Sequence, residues 1–131
     1  MAIKLAGGTT PYILKDDRES ENPTVFNIKD LTASERGQLD EAYAALPAFQ
    51  PDEEHVADGL ANLMRAMDAA HRKACKICIE SVTGVLDADG NVVADLSALD
   101  VIAKLRDPAH IRELGQAVLE ANRLSEDEQG N

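Results

Sequence analysis

A chain of 131 residues with a formal charge of −11 repels nucleic acid and anionic membrane surfaces and suits basic partners or plain solvation. Hydrophobic residues make up 44% of it but aromatic residues only 3%, with no Trp, so the core must be built from Ala, Leu, Val and Ile, and rings for stacking a base or anchoring a ligand are scarce. The length suits one domain that buries roughly two-thirds of its unfolded surface without disulfides.

Two cysteines in such a chain point to a reducing compartment. The opening MAIKLAGGTTPY is too short and polar for a secretory signal, and no stretch approaches the length of apolar sequence that crosses a membrane. Residues 1–11, with Gly7, Gly8 and Pro11, read as a flexible arm. Tyr12-Ile13-Leu14-Lys15 and Thr24-Val25-Phe26-Asn27-Ile28 read as two strands of a hairpin within 12–31, joined by a charged loop, Asp16 to Pro23, long enough to be mobile. A two-stranded hairpin is marginal in water, so it must lean on helices or add to another sheet.

The region 32–124 is expected to be mainly helical. Thr32-Ala33-Ser34-Glu35 is a capping box that opens a helix carrying Leu39, Ala42, Tyr43 and Leu46 on one side and ending at Pro47. Asp52 is the expected cap of the next helix, with Glu53 and Glu54 in its first turn. That helix holds Val56, Leu60, Leu63, Met67, Ala70, Ala74 and Ile77 at spacings of 4 and 3 in alternation. The pattern is a heptad-like seam tapering to alanine and expected to run to about Val82. It packs within the chain or against another subunit. Val85-Leu86 and Val92-Val93 flank Asp87-Ala88-Asp89-Gly90-Asn91 as a second, smaller hairpin. Ser97 to Leu105 reads as a short helix, and Asp107-Pro108 starts another with the stripe Ile111, Leu114, Ala117, Val118, Ala121 and Leu124. Residues 125–131 form an acidic tail expected to fray. The fold class is therefore α+β, in one domain: N-terminal hairpin, long central helix, smaller C-terminal hairpin and helices.

Sites for chemistry are hard to assemble from these residues. With Gly90 at the sixth position of a calcium loop, the first falls on Val85 and the twelfth on Leu96, neither of which offers a side-chain oxygen. Cys75-Lys76-Ile77-Cys78 is a CxxC deep inside a predicted helix, where no helix N-terminus lowers a thiol pKa. His71, Cys75 and Cys78 share one helical face, but a fourth ligand would have to come from His55, His110 or a carboxylate, and small buried cysteines are the simpler reading. No nucleophile elbow or phosphate loop is present, and Arg72, Lys73 and Lys76 read as a solvated helical face. No enzyme activity, cofactor, metal, nucleic acid or membrane is expected.

Two segments carry a likeness. Tyr12 to Arg18 followed by Asn22 to Thr32, and Asp89-Gly90 through Leu105, Ile111, Leu114 and Val118 to the ending Leu124-Ser-Glu-Asp-Glu-Gln-Gly-Asn131, together span about half the chain. This layout resembles small morphogenesis proteins of tailed bacteriophages, above all tail assembly chaperones and virion structural proteins. Neither segment is a catalytic motif. The resemblance implies a protein of the host cytoplasm during particle assembly, or one retained in the virion, that binds other phage structural proteins or copies of itself. The contacts are expected on the hairpin, through Tyr12, Leu14, Val25, Phe26 and Ile28, and on the seam, through Leu60, Leu63, Met67, Ala70 and Ala74. The alternative is a small acidic inhibitor or DNA mimic.

Overall fold

The computed structural model describes residue 3 and residues 5–46, 56–93 and 97–129, with side chains at 56 and 124–129 excepted. Within these, strands β1 (Thr9–Tyr12), β2 (Val25–Lys29) and β3 (Ile79–Thr83) accompany helices α1 (Ala33–Ala44), α2 (Val56–Cys78), α3 (Ala98–Ala103) and α4 (Pro108–Gln129). The fold is α+β. The sheet is antiparallel in the order β1-β2-β3, which puts the second hairpin strand in the centre.

β3 corrects the sequence reading, which ran the central helix to Val82. The helix ends at Cys78 and the chain passes directly into the strand. Ile79, Val82 and Thr83 are β-branched and favour extended backbone. Gly84 ends the strand with a positive φ of 77°, and a Cβ there would lie 2.9 Å from the Pro23 carbonyl oxygen, so only glycine fits this turn. Opposite β2, the register shifts between Asn27 and Ile28: Asn27 faces Ser81, but Ile28 faces Ile79. This bulge at Glu80 turns Ile79 and Val82, three apart, to the same side as their partners Ile28 and Phe26. The outer side is polar, with Asn27 donating to the Ser81 hydroxyl at 3.0 Å.

The ends of the elements follow local chemistry. Thr32 and Glu35 close the capping box, with Thr32 accepting the Glu35 amide at 3.2 Å and Glu35 accepting the Thr32 amide at 3.1 Å. Glu35 also pairs with Lys29 and so fastens the end of β2 to α1. Lys29, then the Thr32 amide, hold its carboxyl below the usual range. Ser97 caps α3 and Asp107 caps α4, where its carboxylate accepts the Ala109 amide at 2.9 Å. The expected Asp52 cap lies outside the described residues.

Three other expectations change. The first strand is Thr9–Tyr12 rather than Tyr12–Lys15, because the arm pairs with β2 from Thr9 onward. The loop expected to be mobile is fastened at several points: Asp17 accepts the Thr24 amide at 2.7 Å, Asp16 bonds His110 at 2.8 Å, and Arg18 lies over the Tyr12 ring. Helix α4 continues through most of the acidic tail, to Gln129. One carboxylate, Glu113 on α4, accepts both the Tyr12 hydroxyl at 2.6 Å and the Lys15 amide at 2.9 Å. It thereby ties the edge strand and the loop to the helices.

One cluster of buried side chains joins the sheet to the helices: Phe26 and Ile28 from β2, Leu39 from α1, Cys75 and Cys78 from α2, Ile102 from α3, and Ile111, Leu114 and Val118 from α4. Phe26 is the one aromatic among its fully buried members. Close approach replaces bulk. Where α2 meets α4, a Cβ on Gly115 would sit 2.6 Å from Cγ and 2.7 Å from Cβ of His71, so α4 uses a residue with no side chain to admit the imidazole. Tyr43 of α1 completes the junction with a hydroxyl 2.7 Å from His71 Nδ1.

Gly115→Ala separates the two effects of a helical glycine. Helix propensity alone would stabilise the chain by up to about 1 kcal/mol, whereas overpacking against His71 costs roughly 1–3 kcal/mol. Urea denaturation should show net destabilisation; a more stable variant would mean that the helices are not in close contact here.

Candidate docking surfaces

The hairpin residues expected to meet a partner are mostly spent on the chain's own core. Leu14, Phe26 and Ile28 are buried, because strict alternation along β2 turns Phe26 and Ile28 toward the helices. Tyr12 faces the same way and gives its hydroxyl to Glu113. Val25 is half-buried on the opposite side of the sheet. The expected docking role of Leu14, Phe26 and Ile28 is therefore corrected to a core role: β3 and the helices cover what a partner was expected to cover. β2 has no free edge, since β1 and β3 flank it.

The seam on α2 divides in the middle. Ala70 and Ala74 are buried, as are Cys75 and Cys78, so the C-terminal half of the helix belongs to the core and these two alanines are also corrected from docking to packing. The N-terminal half differs. Leu63 is half-buried, but Leu60 is 46% exposed and Met67 38% exposed. Met64, which the seam spacing passed over, is 50% exposed. Leu60, Met64 and Met67 recur at i, i+4 and i+7, so they lie along one face. The signal for Met64 was present in the sequence as the i+4 neighbour of Leu60.

The face that aligns His71, Cys75 and Cys78 serves the core. His71 is buried and bonded to Tyr43, with the two rings edge-on and 5.5 Å apart. Burial pushes the Cys75 and Cys78 thiols up to about 12, so both stay protonated and are poor ligands and nucleophiles. Among the described residues, no group of three or more His, Cys, Asp and Glu side chains could hold a metal ion. Burial also holds the Tyr43 hydroxyl well above its ordinary range.

A second His contact, His110 with Asp16 at 2.8 Å, lies at a cleft lined by Leu14, Phe26, Val85, Val101 and Leu105. An Asp–His pair can orient a base, but it needs a nucleophile within reach. Thr24, the hydroxyl in that lining, donates to the Gly84 carbonyl at 2.9 Å. The Asp87–Asn91 run is a turn, with the Asp87 carboxylate accepting the Asp89 and Asn91 amides at 2.9 and 3.0 Å. Leu86 and Val92 bridge across it.

No protein-family model, curated protein or solved structure matches the chain. Among the described residues, no helix is long and apolar enough to cross a membrane.

The His71 junction makes stability depend on pH. Burial lowers its pKa; Arg112 acts in the same direction and Asp68 against it. The unfolded chain therefore takes up a proton near pH 6.5 that the folded chain resists, and stability present above pH 6.5 is lost as pH falls below it. Glu35, with its lowered pKa, acts only in a more acidic window, below the ordinary carboxylate pKa. Thermal unfolding at pH 7.5, 6 and 5 should show the loss, and His71→Gln should flatten it; an unchanged pH profile in that variant would place the titration elsewhere.

Proposed function

We propose that this chain works by docking onto protein surfaces, as an assembly or structural protein of a tailed bacteriophage. A tail assembly chaperone and a head, neck or tail component are the two forms this takes. It acts in the host cytoplasm while particles are built, and the second form stays in the virion.

The observation that carries the reading is the outer half of α2. Leu60, Met64 and Met67 stand in solvent along one face, and fully burying a side chain of this size contributes about 1.5–3 kcal/mol. Methionine adapts its shape to a partner, which suits a surface that must engage more than one protein. The two segments that resemble phage morphogenesis proteins direct the reading to that class. A DNA mimic needs an unbroken field of carboxylates. The outward face of α2 carries Arg65, Arg72, Lys73 and Lys76, all exposed, and so interrupts such a field.

Light scattering on a sizing column, with purified tail, neck and capsid proteins added in turn, tests the proposal. The chain should co-elute with at least one of them, and Met64→Glu should abolish that complex without unfolding the chain. Co-elution with none removes the phage assignment. Undiminished binding by Met64→Glu removes α2 as the docking surface.

A further inference from the structure

Two cysteines and three methionines hold the sulfur of this chain, and α2 carries two of each kind. The two kinds fall on either side of the division in the helix. Cys75 and Cys78, in the inner half, expose nothing to solvent, whereas Met64 is 50% exposed and Met67 38% exposed in the outer half. Neither methionine belongs to the buried cluster that joins the sheet to the helices.

This placement reverses the usual order of attack by an oxidant. An accessible cysteine with a low thiol pKa is oxidised readily, because the thiolate is the reacting species. Here burial pushes both thiols up to about 12, so they stay protonated as well as out of reach. A thioether has no proton to lose, and access alone decides whether it meets the oxidant. Among the described residues, the sulfur that solvent reaches is therefore that of Met64 and Met67.

We propose that Met64 and Met67 are reversible oxidation sites, and that oxygen transfer from a peroxide to their sulfurs switches off docking at the outer half of α2. In the forward step a sulfur lone pair attacks the peroxide, the S–O bond forms, the O–O bond breaks and water leaves. Sulfur gives up two electrons and the peroxide takes them. In the return step a methionine sulfoxide reductase draws two electrons from a pair of thiols and releases the oxygen as water. A sulfoxide is polar, so a partner that covers it must desolvate an oxygen where it met apolar surface before. The two residues stand three apart on one side of the helix, so both changes fall within the same contact. The inference rests on the reading of outer α2 as a docking surface and adds a control over it.

The test uses the full chain, hydrogen peroxide in limited dose, and the tail, neck or capsid protein with which the chain co-elutes. Peptide mapping should find one added oxygen on each of Met64 and Met67, read separately from Met1. Both thiols should still titrate after denaturation, and the helical circular dichroism spectrum should be unchanged. Oxidation of either thiol before the methionines, two methionines that stay reduced, or a lost helical spectrum overturns the proposal. The oxidised chain should bind its partner about tenfold more weakly or worse. Reductases for both sulfoxide epimers, with dithiothreitol, should restore the binding. Undiminished binding by the oxidised chain, or a loss that the reductases do not reverse, overturns it. In Met64→Leu with Met67→Leu, peroxide should leave whatever binding that variant has unchanged; a loss there would place the sensitive group elsewhere. If Met64→Glu binds as wild type does, the docking reading of α2 falls and this inference with it. If Met64→Glu loses binding while the oxidised wild type keeps it, this inference alone falls.

Discussion

A helix of 23 residues spans roughly 35 Å at 1.5 Å per residue, and the rest of this chain packs tightly against only part of α2. From Ala70 to Cys78 its inner face is sealed by α1, α4 and the start of β3; from Leu60 to Met67 the same apolar face is partly open. The mismatch between helix length and core extent is the constraint from which the other features follow. An amphipathic helix gains most of its stability by burying its apolar face, so the outer half of α2, with Leu60, Met64 and Met67 partly exposed, gains less of it than the inner half does.

The inner half shows how a core poor in aromatic residues is made to hold. Among the described residues Phe26 is its only fully buried ring of carbon, and the density is supplied by alanines, cysteines and the missing side chain of Gly115. His71 is a buried polar residue here, held by Tyr43 from α1 and enclosed against α4. A buried imidazole is tolerated because its nitrogen is bonded and its ring stays neutral. The cysteines beside it act as small apolar residues with raised thiol pKa values. Glu113 extends the same economy to the edge of the sheet, one carboxylate serving a hydroxyl and an amide.

Features that depend on neighbours in sequence were readable in advance. The Thr32–Glu35 capping box, the Asp107-Pro108 start and the Asp87 turn are each specified within a few residues, and the structure forms all three. The seam on α2 was readable as a pattern, but the pattern does not say how far the core reaches along it. The start of β3 has no local signal, because the helical spacing reaches Ile77 and no Gly or Pro interrupts the chain before Gly84; the strand is selected by pairing with β2, and its bulge has no signature in the sequence. Alternation along β2 marked Phe26 and Ile28 as apolar contacts without saying what they touch. The His71 junction brings together Tyr43, His71 and Gly115, too far apart in sequence for spacing to associate them, so His71 grouped instead with the cysteines of its own helix.

Hydrogen exchange along α2 tests the division of this helix most directly. In dilute solution, amides from Leu60 to Met67 should exchange through local opening much faster than those from Ala70 to Cys78, which open only with global unfolding. Docking of a second protein surface on the outer half should slow its amides while the inner ones stay as they were. Uniform protection along the whole helix in the dilute monomer would contradict the account, because the outer half would then need no second surface to hold it.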